Sequence, residues 1–342
     1  MTAPRPGTRA TSPWVSILIP VHNVAEYLAA CIDSVMQQAD DGVEVIALDD
    51  CSTDGSRALL HTLAARFEGR LCVLAHERNG GLSAARNTLI DAASGTYLWF
   101  LDSDDKLLPG AVAELRDIVE RHAPELVICD FRVWRERVRL KHRLRGELHR
   151  KTFDGPAAQL SRDRCAALAG MLSTGQLHAW SKIGLRALWA DDLRFPPGRY
   201  FEDMATMPLL ALRAASFYYQ PRPWVAYRQR GSSILATMNP QKCLDQSRAL
   251  EGLARALASG AGGCRDDARV RLAMAQQSAR NLTGAMRFLR TQGDAAGLAE
   301  RVRQDFREIS PLSPQQLARA YLRRGWWLRW LRFHRSFAPW QA

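Results

Sequence analysis

The sequence has no run of about 18 or more apolar residues, and its opening, MTAPRPGTRATSPW, has no apolar signal-peptide segment. We therefore expect neither a spanning helix nor a secretory leader. Seven scattered cysteines include no C-x-x-C pair, and the odd number argues against a disulfide framework or a zinc site. These absences predict a protein of the reducing cytosol.

Two common nucleotide-binding loops are also missing, G-x-G-x-x-G after the first apolar run and G-x-x-x-x-G-K-[ST] anywhere. Their absence disfavours dinucleotide oxidoreductases and P-loop NTPases. The chain has 342 residues, enough for one large domain or two. Its net charge of +12 favours polyanionic partners: nucleic acid, anionic lipid or phosphorylated substrates.

Apolar runs alternate with helical patterns through the first part of the chain, which is typical of an α/β fold with a mostly parallel sheet. The runs predict strands at Val15–Val21, Val43–Asp49, Leu71–His76, Tyr97–Asp102 and Glu125–Phe131. The helical patterns lie at Ala25–Gln38, Asp54–Phe67, Leu82–Ala93 and Pro109–Arg121. Ligands of such sheets bind beyond the carboxyl ends of the strands.

Three carboxylates follow the fourth of these runs, in YLWFLDSDDKLLP: Asp102, Asp104 and Asp105. Crowded carboxylates repel one another unless a cation lies among them, and oxygen ligands suit Mg²⁺ or Mn²⁺ bridging phosphates. The alternative is that Asp104 and Asp105 cap the helix that begins near Pro109. A second acidic turn, Asp49-Asp50, ends another strand at the same predicted rim, which favours a metal and diphosphate site.

Seven motifs occur in order: VSILIPVHNVAEYLAACIDSV, EVIALDDCSTDGS, NGGLSAARN, GTYLWFLDSDDKLLPG, AWSKIGLRALW, RYFEDMATMPLL and YRQRGSSI. From about Val15 to Ile234 they resemble an inverting family 2 glycosyltransferase of the GT-A fold, of the bacterial cell-surface glycan type. The resemblance implies a GT-A domain over 15–235, with a nucleotide-binding half at 15–130 and an acceptor half at 131–235. Residues 1–14 are expected to form a disordered tail and 236–342 a helical extension.

The resemblance also implies a donor site. Asp104 would ligate the metal, and Asp102 would contact metal waters or the ribose. Arg86 would approach the nucleotide or, alternatively, pair with the acidic turns. The residues expected to bind the nucleotide-sugar are Pro20, Val21, Asn23, Asp49, Asp50, Arg86, Asp102, Ser103 and Lys182.

A general base is the other requirement, because inverting transfer needs a carboxylate that takes the proton of the acceptor hydroxyl. Glu202-Asp203 matches the family's E-D motif, which makes Asp203 the predicted base and Glu202 its catalytic companion. The alternative is that Asp203 only stabilises a helix N-terminus.

The segment from Gln315 to Ala342 contains six arginines, four tryptophans and no Asp or Glu. This composition predicts an interfacial amphipathic helix on an anionic membrane. The alternative is a terminal helix that docks its apolar face on the body of the protein. With the motifs, it suggests an enzyme on the cytoplasmic face of the membrane.

We therefore expect a glycosyltransferase for surface polysaccharide that moves a sugar from a nucleotide donor, preferably UDP-linked, to a glycan or lipid-linked acceptor with Mn²⁺ or Mg²⁺. A sugar-phosphate nucleotidyltransferase is one alternative, although it would carry a basic Gly-rich loop where this chain has PVHNVAEY. A basic nucleic-acid-binding protein is the other, although it would have no use for acidic turns. No nucleic-acid partner is expected, and the sequence leaves the oligomeric state open.

Overall fold

The computed structural model describes residues 12–135, 140–190, 192–229, 237–292 and 296–337. Most of the predicted N-terminal tail lies outside these ranges. Its last residue, Trp14, is described and pairs its backbone with Gly42 and Tyr97 at 3.0 Å each.

One mixed sheet organises the fold, with strand order β3-β2-β1-β4-β8-β6-β9-β5 and β7 beside β9. β1, β2, β3 and β4 are parallel, whereas β8 pairs antiparallel with both β4 and β6. The strands are β1 Val15–Val21, β2 Val43–Asp49, β3 Leu71–Ala75, β4 Tyr97–Phe100, β5 Lys106–Leu107, β6 Leu126–Trp134, β7 Leu160–Ser161, β8 Lys182–Leu185 and β9 Phe217–Arg228.

Helices cover both faces of the sheet because alternate strand residues are apolar on each side. Ile17 and Trp99 pack in one apolar cluster, and their neighbours Leu18 and Phe100 pack in the other. The helices of this part are α1 Ala25–Met36, α2 Ser56–Arg66, α3 Gly81–Ala92, α4 Ala111–His122, α5 Leu140–Leu144, α6 Arg164–Thr174 and α7 Glu202–Arg213.

A helical region follows β9 and has an apolar cluster of its own. Its helices are α8 Pro240–Arg248, α9 Glu251–Ala258, α10 Ala268–Leu289, α11 Ala296–Ile309, α12 Pro314–Arg323 and α13 Trp327–Ser336. Among the described residues, none of the helices combines the length and hydropathy needed to cross a bilayer. The predicted α/β fold with a helical C-terminal region is confirmed.

The cysteine pattern argued against a disulfide framework, but two of the cysteines are paired. A disulfide joins Cys165, in α6, to Cys264, which lies between α9 and α10. The other five cysteines are free. Sequence spacing did not reveal the pair because 99 residues separate its members.

The disulfide predicts a simple thiol count. Protein purified and denatured without reductant should show five reactive thiols per chain, and seven after reduction. The Cys165→Ser/Cys264→Ser variant should show five in both cases. Seven thiols before reduction would contradict the pairing.

Candidate active site

The carboxyl ends of β1, β2 and β4 meet at one edge of the sheet, as the sequence predicts. Val21 is in register with Asp49, and Leu18 is in register with Phe100. The loops that follow these strands therefore lie side by side, and they carry the two acidic turns.

We call the space bordered by these loops and by the start of α7 the cleft. Asp49 and Asp50, in one of the acidic turns, are both buried. Asp49 accepts a hydrogen bond from Arg57 Nε at 2.7 Å and longer ones from the Ser52 amide at 3.3 Å. Asp50 accepts the Gly80 and Gly81 amides at 2.8 Å each. Gly81 has φ +82, which favours glycine at this turn. In the structure these two carboxylates hold the loops before α2 and α3.

The loop after β1 is held in the same way. The Val21 carbonyl accepts the Asp50 amide at 2.8 Å, and Asn23 Oδ1 accepts the Thr53 amide at 2.8 Å. Pro20 is the last but one residue of β1 and is in register with Leu48. Pro20, Val21 and Asn23, all predicted to bind the nucleotide-sugar, therefore lie next to the Asp49-Asp50 turn.

Arg86 links the two halves of the site. Its side chain is 1% exposed, and Nη2 donates to Asp102 Oδ1 at 2.8 Å. Nη1 donates to Glu202 Oε1 at 3.0 Å and also to Asp203 Oδ1. The structure thus shows Arg86 paired with the acidic residues, one of the two roles that the sequence left open. Its approach to the nucleotide stays a prediction.

The electrostatics of this cluster follow from its burial. Burial works to lower the pKa of Arg86, but Asp203, Asp102 and Glu202 outweigh it, so the net shift is upward. Burial, together with the charge of Asp203, raises the pKa of Glu202 to about 7. Burial also raises the pKa of Asp203, although Arg86 opposes the shift.

Asp203 is the more accessible of the two E-D carboxylates. Its side chain is 19% exposed, against 7% for Glu202. Asp203 Oδ2 also accepts the Ala179 amide at 3.0 Å, so two contacts fix its carboxylate. An oriented, partly exposed carboxylate with a raised pKa suits a general base.

The Asp102–Asp105 turn separates into exposed and buried members. Asp102 is 29% exposed and Asp104 is half-buried, whereas Ser103 and Asp105 are buried. Asp105 accepts the Arg228 amide at 2.7 Å. The capping alternative is wrong, because α4 begins at Ala111 and Gly110 stands at its N-cap.

These carboxylates fit a divalent cation. Only Oδ1 of Asp102 accepts a hydrogen bond from Arg86, and the side chains of this turn offer oxygen atoms as metal ligands. In the part of the chain that the structure describes, no group of three metal-ligating side chains occurs. Mg²⁺ and similar ions at nucleotide sites need only one or two carboxylates, since phosphates and waters complete the coordination. Asp104 and Asp102 are the residues that could hold such an ion.

Arg228, from the YRQRGSSI motif at the end of β9, lies beside the acidic turn. In the structure Arg228 Nε donates to the Asp104 carbonyl at 3.2 Å. Its guanidinium lies 4.3 Å from the ring centre of Tyr27 and 3.8 Å from that of Trp134. This stacking holds a positive charge beside the acidic turn.

Lys182 is not brought to the rim of the cleft. It is fully buried, and Nζ donates to the Gln176 carbonyl and, at 2.6 Å, to Ser181 Oγ. Burial lowers its pKa to about 7. A buried ammonium needs these internal acceptors, and they turn Nζ inward. Binding of the nucleotide-sugar by Lys182 stays a prediction.

Sequence reasoning missed His178. Its ring stacks on Trp180 at 4.7 Å, and burial lowers its pKa to about 4, so it is neutral near pH 7. It precedes Ala179, whose amide holds Asp203. A lone histidine just before the AWSKIG motif gave no signal of this position.

The architecture is that of the GT-A glycosyltransferases. S. aureus TarS 1-349 in complex with UDP-GlcNAc is similar with a TM-score of 0.56 at 16% identity, over 91% of this chain and 92% of that one. The mannosyltransferase PcManGT from Pyrobaculum calidifontis, in complex with GDP-Man and Mn²⁺, is similar with a TM-score of 0.55 at 16% identity, over 95% and 86%.

A sequence match covers the nucleotide-binding part of the chain. Residues 16–172 match the model of Glycosyl transferase family 2, so this part of the chain resembles a domain of that family. A putative teichuronic acid biosynthesis glycosyltransferase, TuaG of Bacillus subtilis, is 40% identical over 94 residues, 28% of this chain and 37% of that one. The chain spans about a third of the length of several curated relatives that it matches.

The Arg86 cluster generates a stability prediction. Arg86→Met should lower the free energy of unfolding by about 3–5 kcal/mol, because it leaves buried carboxylates facing one another. Arg66→Met is the control, since the pair of Arg66 with Asp33 is exposed and should contribute less than about 1 kcal/mol. Urea unfolding measures both.

Arg86→Lys keeps the charge but loses the forked geometry, so its stability should lie between those of the wild type and Arg86→Met. A midpoint of Arg86→Met equal to that of the wild type would show that the cluster does not hold the site together.

Proposed function

We propose that the protein is a metal-dependent, inverting glycosyltransferase that moves one sugar from a nucleotide-sugar donor to a glycan or lipid-linked acceptor. The observation that carries the proposal is the bridge through Arg86, which joins Asp102 of the D-x-D turn to Asp203 of the E-D motif. A leaving-group site and a base are thereby held on two sides of one cleft.

The donor half rests on the loops at the strand ends. The amide-rich turns held by Asp49 and Asp50 form a wall for the nucleotide, with Pro20 and Val21 beside it. The similar structures of TarS and PcManGT are complexes with UDP-GlcNAc and with GDP-Man, which supports a nucleotide-sugar donor. We favour a UDP-sugar.

Asp104, with Asp102, would hold Mn²⁺ or Mg²⁺ against the donor diphosphate. The ion would neutralise the charge that develops on the departing phosphate. The presence of Mn²⁺ with the similar PcManGT supports this assignment. Arg228, fixed beside Asp104, would add a second positive charge on the same side.

Asp203 would take the proton from the acceptor hydroxyl while that oxygen attacks the anomeric carbon. The sugar–phosphate bond breaks on the opposite side, so the configuration inverts. Arg86 and the Ala179 amide keep the carboxylate oriented. Its raised pKa makes it a stronger base than an ordinary aspartate.

Two variants separate the two halves of this chemistry. Asp104→Asn should abolish the Mn²⁺-dependent part of nucleotide-sugar binding measured by calorimetry. Asp203→Asn should keep that binding but lower kcat about 100- to 10,000-fold, as expected for the loss of a general base. Asp192→Asn, an exposed carboxylate, is the control and should change neither.

The raised pKa of Asp203 predicts how activity depends on pH. The base must be deprotonated, so activity should fall as the pH is lowered. The midpoint of this fall should lie above about 3.9, the pKa of an ordinary aspartate. Unchanged metal-dependent binding in Asp104→Asn, or full transfer by Asp203→Asn, would contradict the proposed roles.

We also propose that the enzyme works at an anionic membrane surface, in surface polysaccharide synthesis, as the name of TuaG supports. Helix α13 docks on the body through Phe333, which packs 5.3 Å from Phe306. Its other side leaves Trp327 63%, Leu328 69% and Leu331 38% exposed. We call these three residues the Trp327 patch.

The proposal combines the two alternatives for this segment, a docked helix and a membrane-binding helix. One side of α13 packs on the protein, and the Trp327 patch on the other side remains available to a bilayer interface. Exposed arginines surround the patch: Arg323, Arg324, Arg329, Arg332 and Arg335. Aromatic and cationic side chains in this combination favour anionic headgroups. Trp340, part of the same prediction, lies outside the described residues.

Replacing the patch by Trp327→Ser, Leu328→Ser and Leu331→Ser should lower the fraction of protein that sediments with phosphatidylglycerol vesicles. Donor hydrolysis should be unchanged, because the patch is on α13, whereas the residues proposed to act on the donor are in the loops after β1, β2 and β4. Leu140→Ser/Leu144→Ser is the control, since these leucines on α5 are also exposed, 71% and 80%. Equal losses in both variants, or none in either, would oppose a role for the patch.

A further inference from the structure

A cavity of about 530 Å³ lies beside the loop that leads into α7. It is formed between residues 197–199 and the helices α8 and α11. Three arginines line it, Arg199, Arg248 and Arg301, together with Gln241 and Asp245. No residue assigned to the donor or to the base belongs to this lining.

The arginines retain donors for a ligand. Among the described residues Arg199 has no ion pair, and it is exposed. Arg248 lies 3.3 Å from Glu251, and Arg301 lies 3.3 Å from Asp305. These separations are long compared with the 2.7–2.9 Å that is typical of charge-assisted bonds. Each guanidinium therefore keeps N–H groups that its carboxylate partner does not use.

The one acidic group of the lining is occupied within the protein. Asp245 Oδ2 accepts the Tyr200 amide at 3.1 Å, and Oδ1 accepts Gln241 Nε2 at 2.9 Å. The carboxylate is buried, so it faces these internal donors rather than an incoming ligand. The lining itself holds three arginines and one aspartate, while Glu251 and Asp305, the partners of two of these arginines, are not part of the lining. The N–H groups that face the cavity are therefore mostly those of guanidiniums.

This chemistry selects a phosphate group. Several guanidiniums that converge on one space match the oxygens of a phosphate monoester or diester, with forked hydrogen bonds to each. The volume exceeds that of a phosphate alone and lies in the range of cavities that enclose a small organic ligand. A phosphate attached to a sugar or polyol fits both properties.

The position connects the cavity to catalysis. Residues 197–199 are separated from Glu202 only by Tyr200 and Phe201. Tyr200 is tied to α8 through Asp245, and Lys242 lies 4.9 Å from its ring centre. Phe201 has φ +61, a conformation that residues other than glycine rarely adopt. A ligand in the cavity therefore contacts the segment that sets the start of α7 and hence the place of Asp203.

We propose that this cavity binds a phosphate group of the acceptor, and that the acceptor is a phosphorylated glycan. The inference rests on the proposed transferase function, since it names the acceptor class of the same enzyme. It requires no contact with the donor: the nucleotide side of the cleft and the cavity use separate residues.

The test is a thermal-shift titration of the full chain without metal or donor, at constant ionic strength. The probes are inorganic phosphate and glucose 1-phosphate. Wild-type protein should be stabilised by glucose 1-phosphate at lower concentrations than by inorganic phosphate. In Arg199→Gln/Arg301→Gln the apparent Kd for glucose 1-phosphate should rise at least tenfold.

Arg121→Gln/Arg162→Gln is the control with the same change of charge, because both side chains are exposed away from the cavity. Its Kd should match the wild type. If both double variants bound glucose 1-phosphate equally weakly, the loss of affinity would be due to net charge alone, and the proposal would be overturned. Inorganic phosphate binding as tightly as glucose 1-phosphate would overturn the assignment to a phosphorylated glycan.

Failure of this inference is distinguishable from failure of the transferase function. Binding of UDP with Mn²⁺, measured on the same proteins, should be the same in Arg199→Gln/Arg301→Gln and in the wild type. If UDP with Mn²⁺ binds while glucose 1-phosphate does not, only the cavity proposal fails. If the wild type binds no nucleotide with metal, the proposed function itself fails.

Discussion

One buried guanidinium holds the candidate active site together. Arg86 comes from α3, Asp102 from the turn after β4, and Glu202 with Asp203 from the start of α7. Arg86 and Glu202 are buried, and Asp102 and Asp203 are largely so. Removing charged groups from water is costly, and only close pairing in good geometry offsets the loss of hydration. The three elements must therefore meet in one arrangement, and that arrangement sets the distance between the metal side and the base side of the cleft.

This constraint also divides the acidic residues by role. Asp49, Asp50 and Asp105 are buried and accept hydrogen bonds from backbone amides or arginine, so they build the loops. Asp102, Asp104 and Asp203 keep part of their surface exposed and face the cleft. All six residues are aspartates. The buried ones stabilise the loops, and the partly exposed ones are those proposed to act in catalysis.

Much of the framework was predictable from sequence. Strands β1 and β2 have the predicted bounds, because their apolar runs end abruptly at polar loops. The meeting of the two acidic turns followed from the topology of parallel strands. The insertion of β8 between β4 and β6 did not, since the pairing of a four-residue strand depends on contacts far apart in sequence.

The side-chain partners were less accessible to sequence reasoning. Lys182 was expected to bind the nucleotide-sugar, and nothing in the sequence indicated that its ammonium is buried and donates to Gln176. The two cysteines of the disulfide are far apart in the sequence, and so are the arginines that line the cavity. A local sequence pattern therefore could not predict either feature. For α13, composition indicated an amphipathic helix. Only the packing of Phe333 against Phe306 shows which side of the helix faces the protein.

The central claim is that Arg86 remains paired with the carboxylates while the metal occupies the Asp102–Asp105 turn. A crystal structure with UDP and Mn²⁺, with anomalous diffraction to locate manganese, tests it most directly. We predict a manganese peak within coordination distance of Asp104, with Arg86 still bonded to Asp102 and Asp203. Manganese bound elsewhere, or Arg86 turned away to the diphosphate, would contradict the account.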